Sequence, residues 1–233
     1  MNIKYIDNTV IFSGKCPDGL HIKDYLNETI NTIRFENFDT SEVVDMSYMF
    51  FACSVKYIEG LEQFDTSHVE NMSSMFARCS CIERYDSIIN NWDVRNVKDM
   101  IKTFGMNSIS HISLPKWETP MLENCTEMFS ECPDLVSVNL YNFGCSSHLK
   151  YAACVFCDSE ALQFLMMPKI CISKSTEVYY FFHDTAKYEN NTLSVSGKIQ
   201  RMYTDALLGL TSSEQGADTI ANHTNTDVDG CLP

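Results

Sequence analysis

The sequence lacks long apolar runs and clusters of basic residues. No apolar stretch approaches the roughly 20 residues that a membrane-spanning helix needs. Lysine and arginine total 17 against 31 aspartate and glutamate residues, so the formal net charge is −14. Nucleic acids and anionic membrane surfaces both select clustered Lys and Arg. The sequence therefore predicts no membrane insertion and no nucleic-acid partner, and its acidity is compatible either with simple solubility or with a basic partner.

The sequence also lacks the motifs of common catalytic and cofactor sites. There is no phosphate-binding loop, no nucleophile elbow and no dinucleotide fingerprint. Cys154 and Cys157 form a C-x-x-C pair, but structural zinc needs four ligands and no second pair is near in sequence. We therefore expect no metal, no cofactor and no enzymatic activity. A redox protein based on Cys154 and Cys157 is the alternative that these residues leave open.

A secretory leader is not apparent at the N-terminus. Residues 1–14 have no charged segment followed by a long apolar segment. We therefore expect an intracellular or virion location, in which the eleven cysteines stay reduced. Three of them, Cys53, Cys79 and Cys132, recur at one position of an internal repeat, where a free cysteine serves as a small buried apolar residue.

That repeat is the dominant feature of the chain. Aromatic anchors, replaced by isoleucine in the last copy, recur at steps of 25 to 28 residues: Phe38, Phe64, Trp92, Trp117, Phe143 and Ile170. After most anchors an apolar residue follows at position +5, a sulfur-containing residue at +8 and a phenylalanine at +12. A fixed period of this length indicates a solenoid in which each unit buries its apolar face against its neighbours.

The first half of each unit has the spacing of a helix. Positions +5, +8, +11, +12 and +15 fall on one helical face. In the first copy Asp39 is a candidate N-cap, with Glu42 three residues later as in a capping box. Phe38 and Val43 are placed for a hydrophobic staple across the same helix start. The pattern thus predicts a short helix in each repeat.

The second half of each unit predicts a short strand. Ile30-x-x-Ile33-x-Phe35 and its later copies follow the L-x-x-L-x-L pattern of leucine-rich repeats. Stacking such units gives an α/β repeat fold, a leucine-rich-repeat-like right-handed solenoid with parallel strands on one face and short helices on the other.

The two best copies, Phe38–Cys53 and Phe64–Cys79, read FDTS-x-V-x-x-M-S-x-MF-x-x-C. This phrase, followed by a leucine-rich strand, resembles the BspA-like leucine-rich repeats, which include mycoplasma lipoprotein repeats of unknown function. The resemblance covers roughly residues 30–170. It implies a repeat fold with a role in adhesion or protein interaction, and it brings no catalytic motif.

Four regions follow from these patterns. Residues 1–29 are expected to form an N-terminal cap, because the terminal repeat of a solenoid must shield the open core. Residues 30–197 hold about six repeats, the last of them degenerate. Residues 198–210 have helical spacing and are predicted to form a C-terminal cap helix. Residues 211–233 form a polar tail that is expected to be disordered unless bound.

The strand face is the predicted binding surface. In L-x-x-L-x-L the x positions point outward and stack into two columns. The residues predicted to bind are Tyr57, Glu59, Arg84, Asp86, His111, Asn139, Phe164 and Met166. Aromatic residues and arginine dominate protein interfaces. We therefore expect a non-enzymatic interaction scaffold, with a structural role in a virion, capsid or surface layer as the alternative.

Overall fold

The recurring apolar positions form one continuous core. In a computed structural model of the protein, the +12 phenylalanines Phe50, Phe76, Phe104 and Phe129 are fully buried. Their rings stack from one repeat to the next, with centroids 5.2 to 5.6 Å apart. The structure describes residues 1–79, 81–173, 175–183, 185 and 194–195. The predicted C-terminal cap helix at 198–210 and the polar tail at 211–233 lie outside this part of the chain.

Two four-stranded sheets carry the strand face. The first has the order β1, β2, β3, β4, with strands at Asn2–Ile6, Thr9–Lys15, Thr32–Asp39 and Tyr57–Glu59. The second has the order β5, β6, β7, β8, at His111–Ser113, Ser137–Asn139, Phe164–Met166 and Ser194–Val195. The first two strands form an antiparallel hairpin and every later pair is parallel. The parallel pairs confirm the predicted solenoid of stacked strands.

The helices predicted in each repeat do not form. In the described residues the helical elements are 3₁₀ helices at Ile22–Tyr25, Leu61–Gln63 and Ile82–Tyr85, and the α-helix α1 at Asp86–Ile89. Opposite the strands each repeat instead makes one parallel bridge to its neighbour, followed by consecutive turns. The bridges form a single column of six residues, Asp45, Asn71, Asp99, Asn124, Tyr151 and Glu177, so the solenoid has about six turns.

The turns on this side, which we call the turn face, have a common geometry. Met49 N–H donates to Met46 C=O, and Cys53 N–H donates to Phe50 C=O, which closes two successive four-residue turns. The third residues of these turns, Tyr48 and Ala52, have φ of 57° and 54°. A positive φ at the third position alone is the signature of a type II turn. The later repeats place other non-glycine residues at the same positions.

Hydrogen bonds between repeats replace those that a helix would make within itself. The N–H groups of Met46, Tyr48 and Phe50 donate to the carbonyl groups of Asn71, Ser73 and Met75 in the next repeat. The same pattern recurs between the later repeats. These N–H groups are therefore paired, as buried backbone groups must be.

The FDTS motif serves this turn network and does not cap a helix. Asp39 Oδ1 accepts from the N–H and the hydroxyl of Ser41, at 3.0 and 2.7 Å. The buried Thr40 hydroxyl donates to Asp65 C=O and accepts from Asp65 N–H. Asp39 therefore holds a local turn, and Thr40 links two repeats.

A matched pair of alanines tests the turn geometry. Ala52 has φ of +54°, whereas Ala77, one position earlier in the turn of the next repeat, is not among the residues with positive φ. A left-handed conformation costs a non-glycine residue about 1 kcal/mol or more. Ala52→Gly should raise the free energy of unfolding by about 0.5–1 kcal/mol, and Ala77→Gly should lower it. Chemical denaturation measures both, and a loss of stability in Ala52→Gly would contradict the turn assignment.

Candidate functional site

The strand face has two outward columns, and the strand register places most of the predicted residues in them. In the first sheet Thr32 pairs with Tyr57, and Arg34 pairs with Glu59. In the second sheet one column runs His111, Ser137, Phe164 and the other runs Ser113, Asn139, Met166. Of the eight predicted residues, six therefore lie in these columns: Tyr57, Glu59, His111, Asn139, Phe164 and Met166.

Arg84 and Asp86 do not join the columns. Arg84 lies in the 3₁₀ helix at Ile82–Tyr85, and Asp86 is the first residue of α1. This repeat is the longest, with 28 residues between its anchors Phe64 and Trp92. Its extra residues fold as a helical insert that separates the two sheets, so the predicted placement of Arg84 and Asp86 on a strand was wrong.

Side chains of this insert take over the hydrogen bonds of the missing strand. The Tyr85 hydroxyl accepts from Ile58 N–H of β4 at 2.6 Å, and Arg84 Nη1 donates to Lys56 C=O at 2.9 Å. On the other side the Glu83 carboxylate accepts from the N–H groups of Ser110 and His111. The repeat pattern did not predict these roles of Glu83 and Tyr85. The only signal for them was the extra length of the repeat.

The two halves of the strand face differ in charge. In the first sheet Arg34 forms an ion pair with Glu59 at 2.5 Å, which raises the pKa of Arg34. Lys56 Nζ lies 5.2 Å from the centre of the Tyr57 ring. In the second sheet the six column residues carry no formal charge, and His111 Nδ1 lies 2.8 Å from Ser137 Oγ.

A ladder of alternating charge lies beside the bridge column. Lys98 pairs with Glu70 at 2.6 Å, and Lys150 pairs with Glu123 at 2.6 Å. The hydrogen bond from Lys150 is the main cause of the lowered pKa of Glu123, and Lys98 adds to it. On the neighbouring turns Lys102 pairs with Glu127 at 2.5 Å. These three lysines are therefore compensated by carboxylates.

Two aspartates on the same solenoid predict opposite dependences on pH. Hydrogen bonds from the Ser67 hydroxyl and N–H hold the pKa of Asp65 below 3.8. Burial, with a smaller effect of Glu123, raises the pKa of Asp99 above 3.8. Ionised Asp65 thus adds stability above pH 3.8 that is lost as the pH falls through its folded pKa. Ionised Asp99 costs stability at neutral pH, and that cost disappears below pH 3.8.

We expect Asp65→Asn to destabilise the protein at pH 7 and to have little effect at pH 3. Asp99→Asn should stabilise it at pH 7, because asparagines occupy the same column at Asn71 and Asn124. Each change should stay below about 1 kcal/mol, as for other solvent-screened charges. Urea denaturation at both pH values measures the effects, and equal signs for the two variants would refute the assignment.

The cysteines are mostly core residues. The ten described cysteines are all free thiols, and Cys53, Cys125 and Cys132 are fully buried. Burial raises the pKa of each of these three thiols to about 12. Cys157 is buried, its Sγ donates to Tyr180 C=O at 2.8 Å, and burial raises its pKa as well. Such thiols have a very small thiolate fraction at neutral pH, which opposes nucleophilic reactivity.

Pulse alkylation with iodoacetamide should separate the thiols by exposure. Cys145 is exposed, so it should be labelled quickly in the native protein. Cys53, Cys125 and Cys132 should be labelled only as fast as the chain opens, because the reagent needs a solvated thiolate. Peptide mass spectrometry assigns each rate. Fast labelling of Cys157 would support the redox alternative and oppose a core role for that residue.

Parallel strands, stacked turns and one continuous core define the class of this molecule as a parallel β-solenoid repeat protein. Residues 23–143, just over half of the 233 residues, match a family described as "Mycoplasma protein of unknown function, DUF285". The chain belongs to that family, and the resemblance to BspA-like repeats is compatible with this assignment. No match was found among curated proteins or among solved structures.

The described part of the chain contains no group of three or more His, Cys, Asp or Glu side chains suited to holding a metal ion. None of its helices has the length and apolar character required to cross a bilayer.

Proposed function

We propose that this protein is a non-enzymatic interaction module that binds a partner protein through its strand face. The observation that carries the proposal is the pair of outward columns, in which large apolar side chains are exposed on short strands of both sheets. Tyr57 is 47% exposed and Phe164 is 56% exposed. Exposed aromatic residues on a rigid surface are typical anchors of protein interfaces.

We also propose that the solenoid is leucine-rich-repeat-like and right-handed. The strand pattern of each repeat supports the first point. The strong preference for right-handed connections between parallel strands of one sheet supports the second.

Site-specific photo-crosslinking tests the proposed surface. Benzoylphenylalanine would replace Phe164 or Tyr57 on the strand face, and Tyr48 on the turn face as a matched control, because Tyr48 is also an exposed aromatic residue. Irradiation in the native source should join positions 57 and 164, but not position 48, to the same protein. Adducts formed equally at all three positions, or at position 48 alone, would refute binding through the strand face.

A structural role in a larger assembly, a virion or a surface layer, is the second candidate. An assembly component needs more than one contact surface, and the turn face carries its own exposed tyrosines, Tyr48, Tyr151, Tyr179 and Tyr180. Co-purification from the native source, sized by light scattering, discriminates the two. Recovery inside a large particle supports the assembly, whereas recovery alone or with one soluble protein supports the interaction module.

Redox chemistry at Cys154 and Cys157 is the least supported candidate. Cys157 is buried and its Sγ is already bonded to a backbone carbonyl. The alkylation rates described above test it directly. An intracellular or virion location stays a prediction of the sequence.

A further inference from the structure

The second sheet presents a surface that we call the C-terminal strand patch, made of His111, Ser113, Ser137, Asn139, Phe164 and Met166. All six residues are uncharged at neutral pH with histidine neutral, in a chain whose net charge is −14. The helical insert at residues 82–89 separates this patch from the Arg34–Glu59 ion pair of the first sheet. The patch is therefore a distinct surface with its own chemistry.

The apolar part of the patch lies on β7. Phe164 and Met166 point to the same side, because alternate residues of a strand share a face. Phe164 is 56% exposed, the largest value among the exposed large apolar side chains of the described residues, and Met166 is 43% exposed. The neighbouring residues on β6, Ser137 and Asn139, are half-buried and polar. A partner's apolar side chain would thus find its contact at one side of the patch, beside hydrogen-bonding groups.

Two lysines with an asparagine between them, which we call the lysine row, border the patch at the carboxyl ends of the strands. Lys116, Asn142 and Lys169 each lie three residues after the end of β5, β6 and β7, so the parallel register places them along one edge. Lys116 Nζ donates to Asn91 Oδ1 at 2.7 Å, and Lys169 Nζ donates to Asn142 Oδ1 at 2.5 Å. Both lysines are exposed.

These two lysines differ from three lysines on the opposite side of the solenoid. Lys98, Lys102 and Lys150 each contact a glutamate within 2.6 Å. Among the described residues neither Lys116 nor Lys169 is within ion-pair distance of a carboxylate. The side chains that contact them are neutral: an amide for each lysine and, for Lys169, also the Tyr141 ring, whose centre lies 5.4 Å from Nζ. An ammonium group that is hydrogen-bonded to an amide keeps its full charge and can still form an ion pair with a carboxylate.

We propose that the C-terminal strand patch binds an extended segment of a partner protein that carries a large apolar side chain followed closely by a carboxylate. The apolar side chain packs on Phe164 and Met166, and the carboxylate pairs with Lys116 or Lys169. Charge complementarity selects this occupant, because carboxylates are repelled by the rest of this acidic molecule and attracted at the lysine row. This inference rests on the proposed function and specifies the chemistry of the partner protein.

Peptide display on the full-length protein tests the proposal. The library would hold random peptides of about 12 residues, long enough to cross the patch at roughly 3.3 Å per residue. Peptides enriched on the wild-type protein should carry an aromatic or long aliphatic residue with Asp or Glu about two to four residues away. Their affinities would then be measured by fluorescence polarisation against purified variants.

Phe164→Ser should lower the affinity for these peptides about tenfold, as expected for the loss of an interface anchor. Lys116→Gln combined with Lys169→Gln should weaken them about fivefold, and the effect should shrink at high salt. Tyr57→Ser is measured beside them as a probe of the first sheet. The matched controls are Tyr48→Ser, an exposed aromatic of the turn face, and Lys4→Gln, an exposed lysine of β1. Both controls should leave the affinity unchanged.

The outcomes separate the inference from the proposed function. Peptides that depend on Phe164 but lack a carboxylate, or that ignore the lysine variants, would overturn the inference and leave strand-face binding intact. Peptides whose affinity depends on Tyr57 and not on Phe164 would also overturn the inference, because they would place the binding site on the first sheet. If no enriched peptide loses affinity on substitution of Phe164 or Tyr57, the result would count against both the inference and the proposed function.

Discussion

Replacing Phe104 by alanine should lower the free energy of unfolding by about 3–5 kcal/mol, the range observed when a buried aromatic side chain is removed. Phe104 is fully buried, and its ring stacks on Phe76 at 5.6 Å and on Phe129 at 5.2 Å. The loss is expected to be large because a ring in the middle of a stack supports both neighbours. Denaturant unfolding followed by circular dichroism measures it.

The matched control for this change is Phe164→Ala. Phe164 is 56% exposed, so its truncation should cost less than about 1 kcal/mol. A repeat protein transmits its stability through the interfaces between neighbouring repeats, so Phe104→Ala should also weaken the cooperativity of unfolding. A cost below about 1 kcal/mol at position 104 would show that the aromatic stack is not the main source of cohesion between repeats.

Replacing Asn107 by leucine should lower the free energy of unfolding by about 1–2 kcal/mol. The Asn107 side chain is buried, and its Nδ2 donates to Phe76 C=O and Phe104 C=O, both at 2.8 Å. Leucine has a similar size but removes both hydrogen bonds, each with a net contribution of about 0.5–1.5 kcal/mol. Phe76 C=O keeps its bond from Cys79 N–H, and Phe104 C=O keeps the weaker one from Cys132 Sγ. Asn107 Oδ1 is buried without a hydrogen-bond partner. Its removal by leucine is therefore favourable and reduces the net destabilisation.

Asn107→Cys is the informative control. The equivalent position in other repeats holds Cys53, Cys79, Cys132, Ser159 and Thr185, and Cys132 Sγ donates to Phe104 C=O at 3.3 Å. A cysteine at 107 should therefore recover about half of the stability lost with leucine, because a thiol is a weak donor. Equal stability of the two variants would show that volume, and not the hydrogen bond, sets the preference at this position.

The false prediction of helices has a definite geometric cause. In the first repeat the inward residues are Met46, Met49, Phe50 and Cys53, at spacings of three, one and three. An amphipathic helix has the same spacing on its buried face. Two consecutive four-residue turns also give it, since the first and last residue of each turn point inward. Periodicity of apolar residues does not distinguish the two structures.

Other features of the fold were predictable because they depend on period alone. The repeat spacing placed Tyr57, His111, Asn139, Phe164 and Met166 in their columns without any knowledge of the turns. The repeat that contains Arg84 and Asp86 was placed incorrectly, because extra residues fold according to their own local contacts. Glu83 and Tyr85 act through hydrogen bonds to neighbouring repeats, and no linear pattern encodes such contacts.

The inter-repeat hydrogen bonds of the turn face also bear on how such proteins change length in evolution. Each repeat offers N–H groups to the repeat that follows it and carbonyl groups to the one before it. At the N-terminal end Gly19 and Ile22 donate to Asp45 and Met49, and so occupy the first set of carbonyls. A duplicated unit would present the same donors and acceptors on its two sides. A gene duplication could therefore lengthen the solenoid by one turn without any redesign of its interfaces, and the number of turns becomes a freely varying trait.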